Sequence, residues 1–241
     1  MTNTIAFQNK GKIKMIAHRG LSGLERENTC PAFVAAGVKS YYGIESDVHV
    51  TRDGKYIIVH DDDLKRIAGL DMSVEGSTFD ELRAVRLKDT DGASERTDLF
   101  LPTLDEYLTI CKKYEKVAVL ELKKTMTEEH VLGIARTVAA HEYLEKTVFI
   151  SFSGENLVIL KKQYPSACAQ FLSRDTSEAA IRFMVEHDLE ADYDHKSVTK
   201  EFVDTMHAHG KRVNVWTVNT LENAEKMKEL GVDMITTNIL E

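Results

Sequence analysis

Residues 43–60 read GIESDVHVTRDGKYIIVH, and the way this stretch folds decides the architecture of the whole chain. It opens with one strand-like run, Gly43–Val50, and closes with another, Lys55–His60. Between them lies Thr51-Arg52-Asp53-Gly54, and Asp-Gly is a strong hairpin signal. A crossover helix, with its loops, needs at least ~10–12 residues, which this gap cannot supply. The second run therefore folds back antiparallel on the first. With the turn centred on Asp53-Gly54, Asp47 is expected opposite His60.

Outward from this hairpin, short apolar runs alternate with longer amphipathic segments. The other strand candidates are Met15–His18, Val117–Leu122, Val148–Phe152, Ala167–Leu172, Glu190–Tyr193, Val213–Val218 and Met234–Thr236. Helix starts fall between most of them. Thr78 with Glu81 and Thr103 with Glu106 fit capping boxes. Thr127, Ser177, Thr199 and Thr220 sit where N-caps belong. Strand alternating with helix implies parallel βαβ units. With the Lys55–His60 arm set aside, eight strands remain, the number a closed (β/α)8 barrel requires. An open doubly wound sheet lacks support, because no Gly-rich phosphate loop follows the first strand. The chain is short after its last strand, so an eighth outer helix is expected to be missing. The first dozen residues are expected to cover part of that gap. No linker or repeat divides residues 1–241, which read as a single domain.

The bulk composition narrows the function. At 241 residues and 43% hydrophobic, the chain can bury a sizeable core. A net charge of −8 argues against a general nucleic-acid binder and against attachment to an anionic membrane by charge. Cys30, Cys111 and Cys168 are odd in number and far apart, which disfavours a disulfide framework or a thiolate zinc site. They read as reduced thiols of a cytoplasmic protein. The opening MTNTIAFQNKGKIKMIAHRG has no long apolar run, so neither a signal peptide nor a stable membrane anchor is expected.

In such a barrel the active site lies where strands end at the C-terminal face. Those ends carry His18-Arg19, then Glu45 and Asp47, then His60-Asp61 on the arm, then Glu121 and Lys123. Glu45 and Asp47 are two apart on one strand and so share a face, as do Glu121 and Lys123. Pointed into the barrel mouth, three carboxylates would converge beside one ammonium. Their mutual repulsion is relieved by protonation or by a cation. All-oxygen donors without thiolate suit Mg2+ or Ca2+ better than zinc. His49 shares the face of Asp47, and its role stays open. His195 follows a strand near the rim and is a further candidate. His130, His141, His187, His207 and His209 fall in helical stretches and read as structural.

The ordered set resembles glycerophosphodiester phosphodiesterases. It comprises His18-Arg19-Gly20, Glu27-Asn28-Thr29, Phe33, Ile44-Glu45-Ser46-Asp47-Val48, Thr51-Arg52-Asp53-Gly54 and His60-Asp61. Leu120-Glu121-Leu122-Lys123, Ser151-Phe152, Asn214–Asn219 and Gly231–Thr237 extend it over nearly the whole chain. The resemblance implies a TIM barrel with a small insertion after the second strand, here about residues 62–101. It implies metal-dependent hydrolysis of small glycerophosphodiesters to glycerol 3-phosphate and an alcohol. By position, His18 and His60 would be the acid–base pair, Glu45, Asp47 and Glu121 the metal ligands, and Arg19 a phosphate contact. Glu27 and Lys123 would join it in binding substrate. Two residues depart from the pattern: Arg26 replaces a usual proline, and Asn238 a usual aspartate. Neither is expected to touch the histidines or the carboxylates.

The chemistry follows from the substrate. A phosphodiester is an anion with a poor leaving group, so it needs charge neutralisation, a base and an acid. His18 is expected as base and His60 as acid. The nucleophile is either the glycerol 2-hydroxyl or a water molecule. Trp216, the only tryptophan, reads either as a core or rim packing residue or as a wall against the glycerol or the leaving alcohol, where cation–π attraction would help if that alcohol is choline. A lysophospholipase D acting on lipid ranks second, since it needs an apolar rim and residues 89–96 are polar. A non-catalytic binding module would not need both histidines. A carboxylate-metal aldolase would not explain histidines on either side of the carboxylates.

Overall fold

The computed structural model of the protein describes residues 3–241. Nine strands form one sheet: β1 (Lys14–Ala17), β2 (Gly43–Val50), β3 (Tyr56–Ile58), β4 (Val117–Leu122), β5 (Thr147–Ser151), β6 (Cys168–Ser173), β7 (Glu190–Asp194), β8 (Val213–Trp216) and β9 (Met234–Thr237). All except β3 are parallel to their neighbours, and β1 pairs with both β2 and β9, which closes an eight-stranded barrel. The chain is a TIM barrel with an antiparallel arm.

The helices outside it are α1 (Cys30–Gly37), α2 (Lys65–Ala68), α3 (Phe79–Arg83), α4 (Leu104–Lys113), α5 (Glu128–Ala140), α6 (Gly154–Gln163), α7 (Glu178–Glu186), α8 (Lys200–Ala208) and α9 (Leu221–Leu230). Thr78 and Thr103 form the expected capping boxes on α3 and α4. Thr127, Ser177, Thr199 and Thr220 each accept a backbone N–H as N-caps. Each such cap is worth about 1 kcal/mol. No helix among the described residues is long and apolar enough to cross a membrane.

The arm is β3, with a register one residue away from the expected one. Val48 pairs with Ile58 and Val50 with Tyr56, which puts Val59 opposite Asp47. The cause is the turn. Thr51 N–H donates to Lys55 O and Gly54 N–H to Thr51 O, both at 2.9 Å, with Gly54 left-handed at φ +74°. The loop is therefore the three residues Arg52-Asp53-Gly54, centred on Asp53. Beyond the arm, α2 and α3 cover a small separate core that includes Ile57, Leu64, Ile67, Val74, Leu82 and Leu101. This is the insertion, with its own apolar reason to fold.

No helix follows β9 among the described residues. The N-terminal segment fills that place. Ile5 bridges to Leu240, and Phe7 N–H donates to Glu241 O at 2.7 Å. The Phe7 ring is buried in the main core, with Lys228 of α9 above it. On the other side Lys39, just past α1, donates to Asn3 Oδ1 at 2.8 Å. The strap thus lies between the last helix and the first.

Side-chain alternation sets the interior of the barrel. Ile44, Val48, Phe149, Ala191 and Tyr193 face the helices in the main core. Ile16, Val119, Val148, Ile150, Leu172 and Met234 form a second cluster inside the barrel. Buried Gln170, Asp192, Asn214 and Thr236 add a polar side contributed by β6–β9.

Candidate active site

The same alternation delivers Glu45 and Asp47 from β2 and Glu121 from β4 to one spot. All three are buried, and one carboxylate oxygen of each lies within 4.8 Å of the others. Register puts Asp47 beside Glu121 across the β2–β4 pairing. Lys123 reaches over them, with Nζ 2.9 Å from Glu121 Oε1 and 3.3 Å from Asp47 Oδ1. Asp47 Oδ1 makes no hydrogen bond despite being buried. Burial, reinforced by Asp47, pushes Glu121 up to about 7 and Glu45 well above the carboxylate range. Burial acts on Asp47 in the same sense, but Lys123 and Arg19 outweigh it and hold Asp47 ionised. An oxygen-only set that is crowded and short of positive charge fits a hard divalent cation.

Arg19 is placed by its backbone. Its φ is +54°, in the left-handed region, and its N–H donates to Glu45 Oε2 at 2.7 Å. Gly20 follows at φ +75°, where a Cβ would lie 2.7 Å from the Ala32 carbonyl carbon, so only glycine fits there. The Arg19 guanidinium donates to Glu27 Oε1 at 2.8 Å, and its Nε lies 3.6 Å from Asp47. Asn28 Nδ2 donates to the same oxygen, Asp47 Oδ2, at 2.7 Å. Glu27 does not line the cleft; three guanidinium nitrogens, one from Arg19 and two from Arg66, occupy its oxygens.

The two histidines have different supports. His18 Nδ1 lies 2.7 Å from Asn238 Oδ1, and its Nε2 points toward Glu45 at 3.9 Å. Burial, with Arg19 beside it, lowers His18 to about 4. Asn238 therefore does touch a histidine, contrary to the sequence expectation. The reason is β9, whose pairing with β1 brings residue 238 level with residue 18. His60 Nδ1 instead lies 2.8 Å from Asp61 Oδ1, a carboxylate that also receives Arg66 Nε at 2.7 Å. Burial lowers His60 as well, against the pull of Asp47. The other departure, Arg26, donates from Nε to Lys88 O at 2.6 Å and ties the β1 loop to the insertion. His49 is buried with Nε2 3.3 Å from His60 O, behind the arm. His195 Nδ1 lies 3.2 Å from Trp216 O and is absent from the cleft lining.

A cleft opens over these groups. His18, Arg19, Glu45, His60 and Glu121 form one side. Ile150, Phe152, Leu172 and Trp216 form an apolar wall opposite, with Asp192, Thr217 and Thr236 completing it. Trp216 is held by Nε1 donating to Asp192 O at 3.2 Å and packs edge-on to Phe152 at 5.7 Å. Arg174 stacks over the same indole at 4.9 Å. Ile150, Leu172 and Asp192 escape sequence reasoning, because singly they look like ordinary strand residues. The parity that places Glu45 inside the barrel would have placed them there too.

Fold and cleft together define a TIM-barrel phosphodiesterase. Residues 18–241 match the model of the Glycerophosphoryl diester phosphodiesterase family, and the chain belongs to that family. A Bacillus altitudinis glycerophosphodiester phosphodiesterase is 29% identical over 93% of this chain and 94% of its own. Among solved structures, an Oleispira antarctica phosphodiesterase in complex with the product sn-glycerol-3-phosphate superposes with TM-score 0.87. It is 26% identical and covers 93% of this chain and 92% of that one. A Parabacteroides distasonis glycerophosphodiester phosphodiesterase is 28% identical, with TM-score 0.78 over 98% of this chain and 94% of that one.

Proposed function

We propose that the protein hydrolyses glycerophosphodiesters to glycerol 3-phosphate and an alcohol, using His18 and His60 for proton transfer. The observation that carries this is the pair of imidazoles facing one cleft beside the Glu45–Asp47–Glu121 cluster. The product bound in the Oleispira relative supports the substrate class.

Glu45, Asp47 and Glu121 would hold one Mg2+ or Ca2+, which when bound supplies charge neutralisation on the phosphoryl oxygens. Arg19, fixed by Glu27, presents its guanidinium to the same anion, and Lys123 adds a second cation. Burial, with Arg19 beside it, keeps the His18 imidazole neutral, and Asn238 Oδ1 at Nδ1 leaves Nε2 free. That is the state a base needs. It takes the proton of the attacking group, either water or the glycerol 2-hydroxyl, whose attack gives a cyclic phosphate that water then opens with the two histidines exchanging roles. His60 leans on the Asp61 carboxylate, which stabilises the imidazolium an acid needs, and gives its Nε2 proton to the leaving oxygen. Trp216 and Phe152 shape the end of the cleft for the alcohol. We also place the protein in the cytoplasm, a reading supported by its three unpaired cysteines.

The apolar wall favours one second reading, a lysophospholipase D, since Phe152 is 49% exposed and open to an acyl chain. The deciding experiment is a panel of glycerophosphodiesters and lysophospholipids, assayed for glycerol 3-phosphate after chelation and re-addition of Mg2+, Ca2+ or Mn2+. Full turnover without metal, or turnover of lysophospholipids alone, would overturn the first reading.

A further inference from the structure

We infer that His49 is a positioning residue for His60: its Nε2–H holds the peptide that joins His60 to Asp61, and so fixes the His60 imidazole at the cleft. The inference rests on the reading above, in which His60 protonates the leaving oxygen, and adds a residue to it.

His49 follows Glu45 and Asp47 on one face of β2 and lies beyond them, under the arm. Its side chain is fully buried, and Nε2 lies 3.3 Å from His60 O. A carbonyl oxygen only accepts, so Nε2 carries the proton. Nδ1 makes no hydrogen bond, and Glu75 Oε1 lies 4.0 Å from it. The ring therefore makes one hydrogen bond, and its partner is the His60 carbonyl.

The backbone around His60 has little else to hold it. Val59 N–H donates to Asp47 O at 3.0 Å, which ties the arm to β2. The next main-chain bond is Val74 N–H to Asp62 O at 2.9 Å, inside the insertion. Between these two, the His49 ring makes the one hydrogen bond to the main chain of residues 60–61 among the described residues.

The held carbonyl belongs to the peptide between His60 and Asp61. His60 Nδ1 lies 2.8 Å from Asp61 Oδ1, so imidazole and carboxylate hang from opposite ends of that peptide. Without a donor the carbonyl is free to turn, and its turning moves one side chain against the other. Arg66 fixes the Asp61 carboxylate, and His49 fixes the backbone that carries it. A misplacement of about 1 Å at a reacting group costs on the order of 100-fold in rate.

The test assays the wild type, His49→Gln, His49→Asn and His49→Leu on two substrates. One is glycerophosphoethanolamine; the other is the nitrophenyl ester of glycerol 3-phosphate, whose leaving oxygen needs no acid. Melting curves and metal titrations are run on every variant. Glutamine carries an amide N–H out toward the place of Nε2, whereas asparagine falls short of the carbonyl and leucine has no donor. His49→Leu and His49→Asn should lose about 10- to 100-fold in kcat on glycerophosphoethanolamine. Their KM and metal affinity should match the wild type, and so should their turnover of the nitrophenyl ester. His49→Gln should recover most of the loss. Adding His49→Asn to His60→Ala should cost nothing further, since the group it positions is gone. His49→Asn carries the test where His49→Leu does not fold. A residue needed only for packing would slow both substrates alike. An equal loss on the two substrates would therefore overturn the positioning role and leave the functional reading standing. So would a loss in His49→Gln as large as in His49→Leu, or losses that multiply with His60→Ala. A wild type that releases no glycerol 3-phosphate from either substrate would overturn the functional reading, and the positioning role with it.

Discussion

Arg66 and Glu27 meet fork to fork: Nη1 and Nη2 of the guanidinium donate to the two carboxylate oxygens, each at 2.7 Å. The same guanidinium reaches Asp61 through Nε, and Asp61 holds His60. Glu27 in turn holds Arg19. One residue of the insertion thus braces both His60, the proposed proton donor, and Arg19, the proposed phosphate contact. Arg66→Met should lower kcat by about 10- to 100-fold, because small misplacements of reacting groups are costly. Metal affinity should stay unchanged. Arg66→Lys should recover part of the loss, since lysine supplies the charge without the fork. Wild-type kcat in Arg66→Met would remove the bracing role.

Asp47→Asn and Glu121→Gln should weaken metal binding and catalysis together, as read by calorimetric titration and turnover. Glu121 adds a pH signature. Its folded-state pKa is raised to about 7, above its ordinary value, so the folded form holds a proton that the unfolded chain releases. Metal-free protein should therefore lose stability as pH rises from the ordinary Glu value to about 7. Glu121→Gln should flatten that fall, and so should added metal. An unchanged pH slope in Glu121→Gln would show that the cluster is not under this strain.

His18→Ala and His60→Ala should each cost about 10²–10⁴-fold in rate while leaving metal affinity nearly intact. The losses should not multiply in the double variant, since both groups serve one proton exchange. A nitrophenyl ester, whose leaving group needs no acid, should rescue His60→Ala only. Rescue confined to His18→Ala would reverse the two roles.

Asn238→Asp should raise the pKa of His18 by placing a carboxylate where its Nδ1 now meets an amide at 2.7 Å. The acidic limb of the kcat/KM profile should move to higher pH. A limb that does not move would exclude His18 as the group that titrates there.

Phe7→Ala should destabilise the fold by about 3–5 kcal/mol, the usual cost of emptying a buried aromatic site. Phe7 does not line the cleft, so kcat should be retained at temperatures where the variant is folded. Denaturant melts with parallel activity assays check both halves.

Much of this was legible in the residues. The Asp-Gly turn identified the arm, and two-residue spacing put Glu45 with Asp47 and Glu121 with Lys123 on shared strand faces, which barrel closure turns inward. Threonine and serine caps marked the helix starts. The turn's internal bonding was not legible: a three-residue loop and a two-residue loop differ by one in register, and the choice rests on Gly54's backbone angle. Also hidden were contacts joining residues far apart in the chain. Asn238 on His18 and Arg66 on Glu27 depend on barrel closure and on how the insertion folds back. Asp192 gives no local signal, because a lone aspartate in a strand looks like a solvated one until the barrel encloses it.

The residues of the proposed chemistry, from His18 through Lys123, all lie before β5, and those that shape the far wall of the cleft, from Ile150 through Thr236, lie on β5 and later elements. From the later part of the chain, Asn238 Oδ1 meets His18 Nδ1 and Thr237 O accepts from His18 N–H at 2.8 Å. The barrel is therefore a two-part instrument with seams at the β4–β5 and β9–β1 pairings. A graft of β5–β9 from a relative, with residue 238 kept, would exchange the wall of the cleft and leave His18, His60 and the carboxylates of β2 and β4 in place.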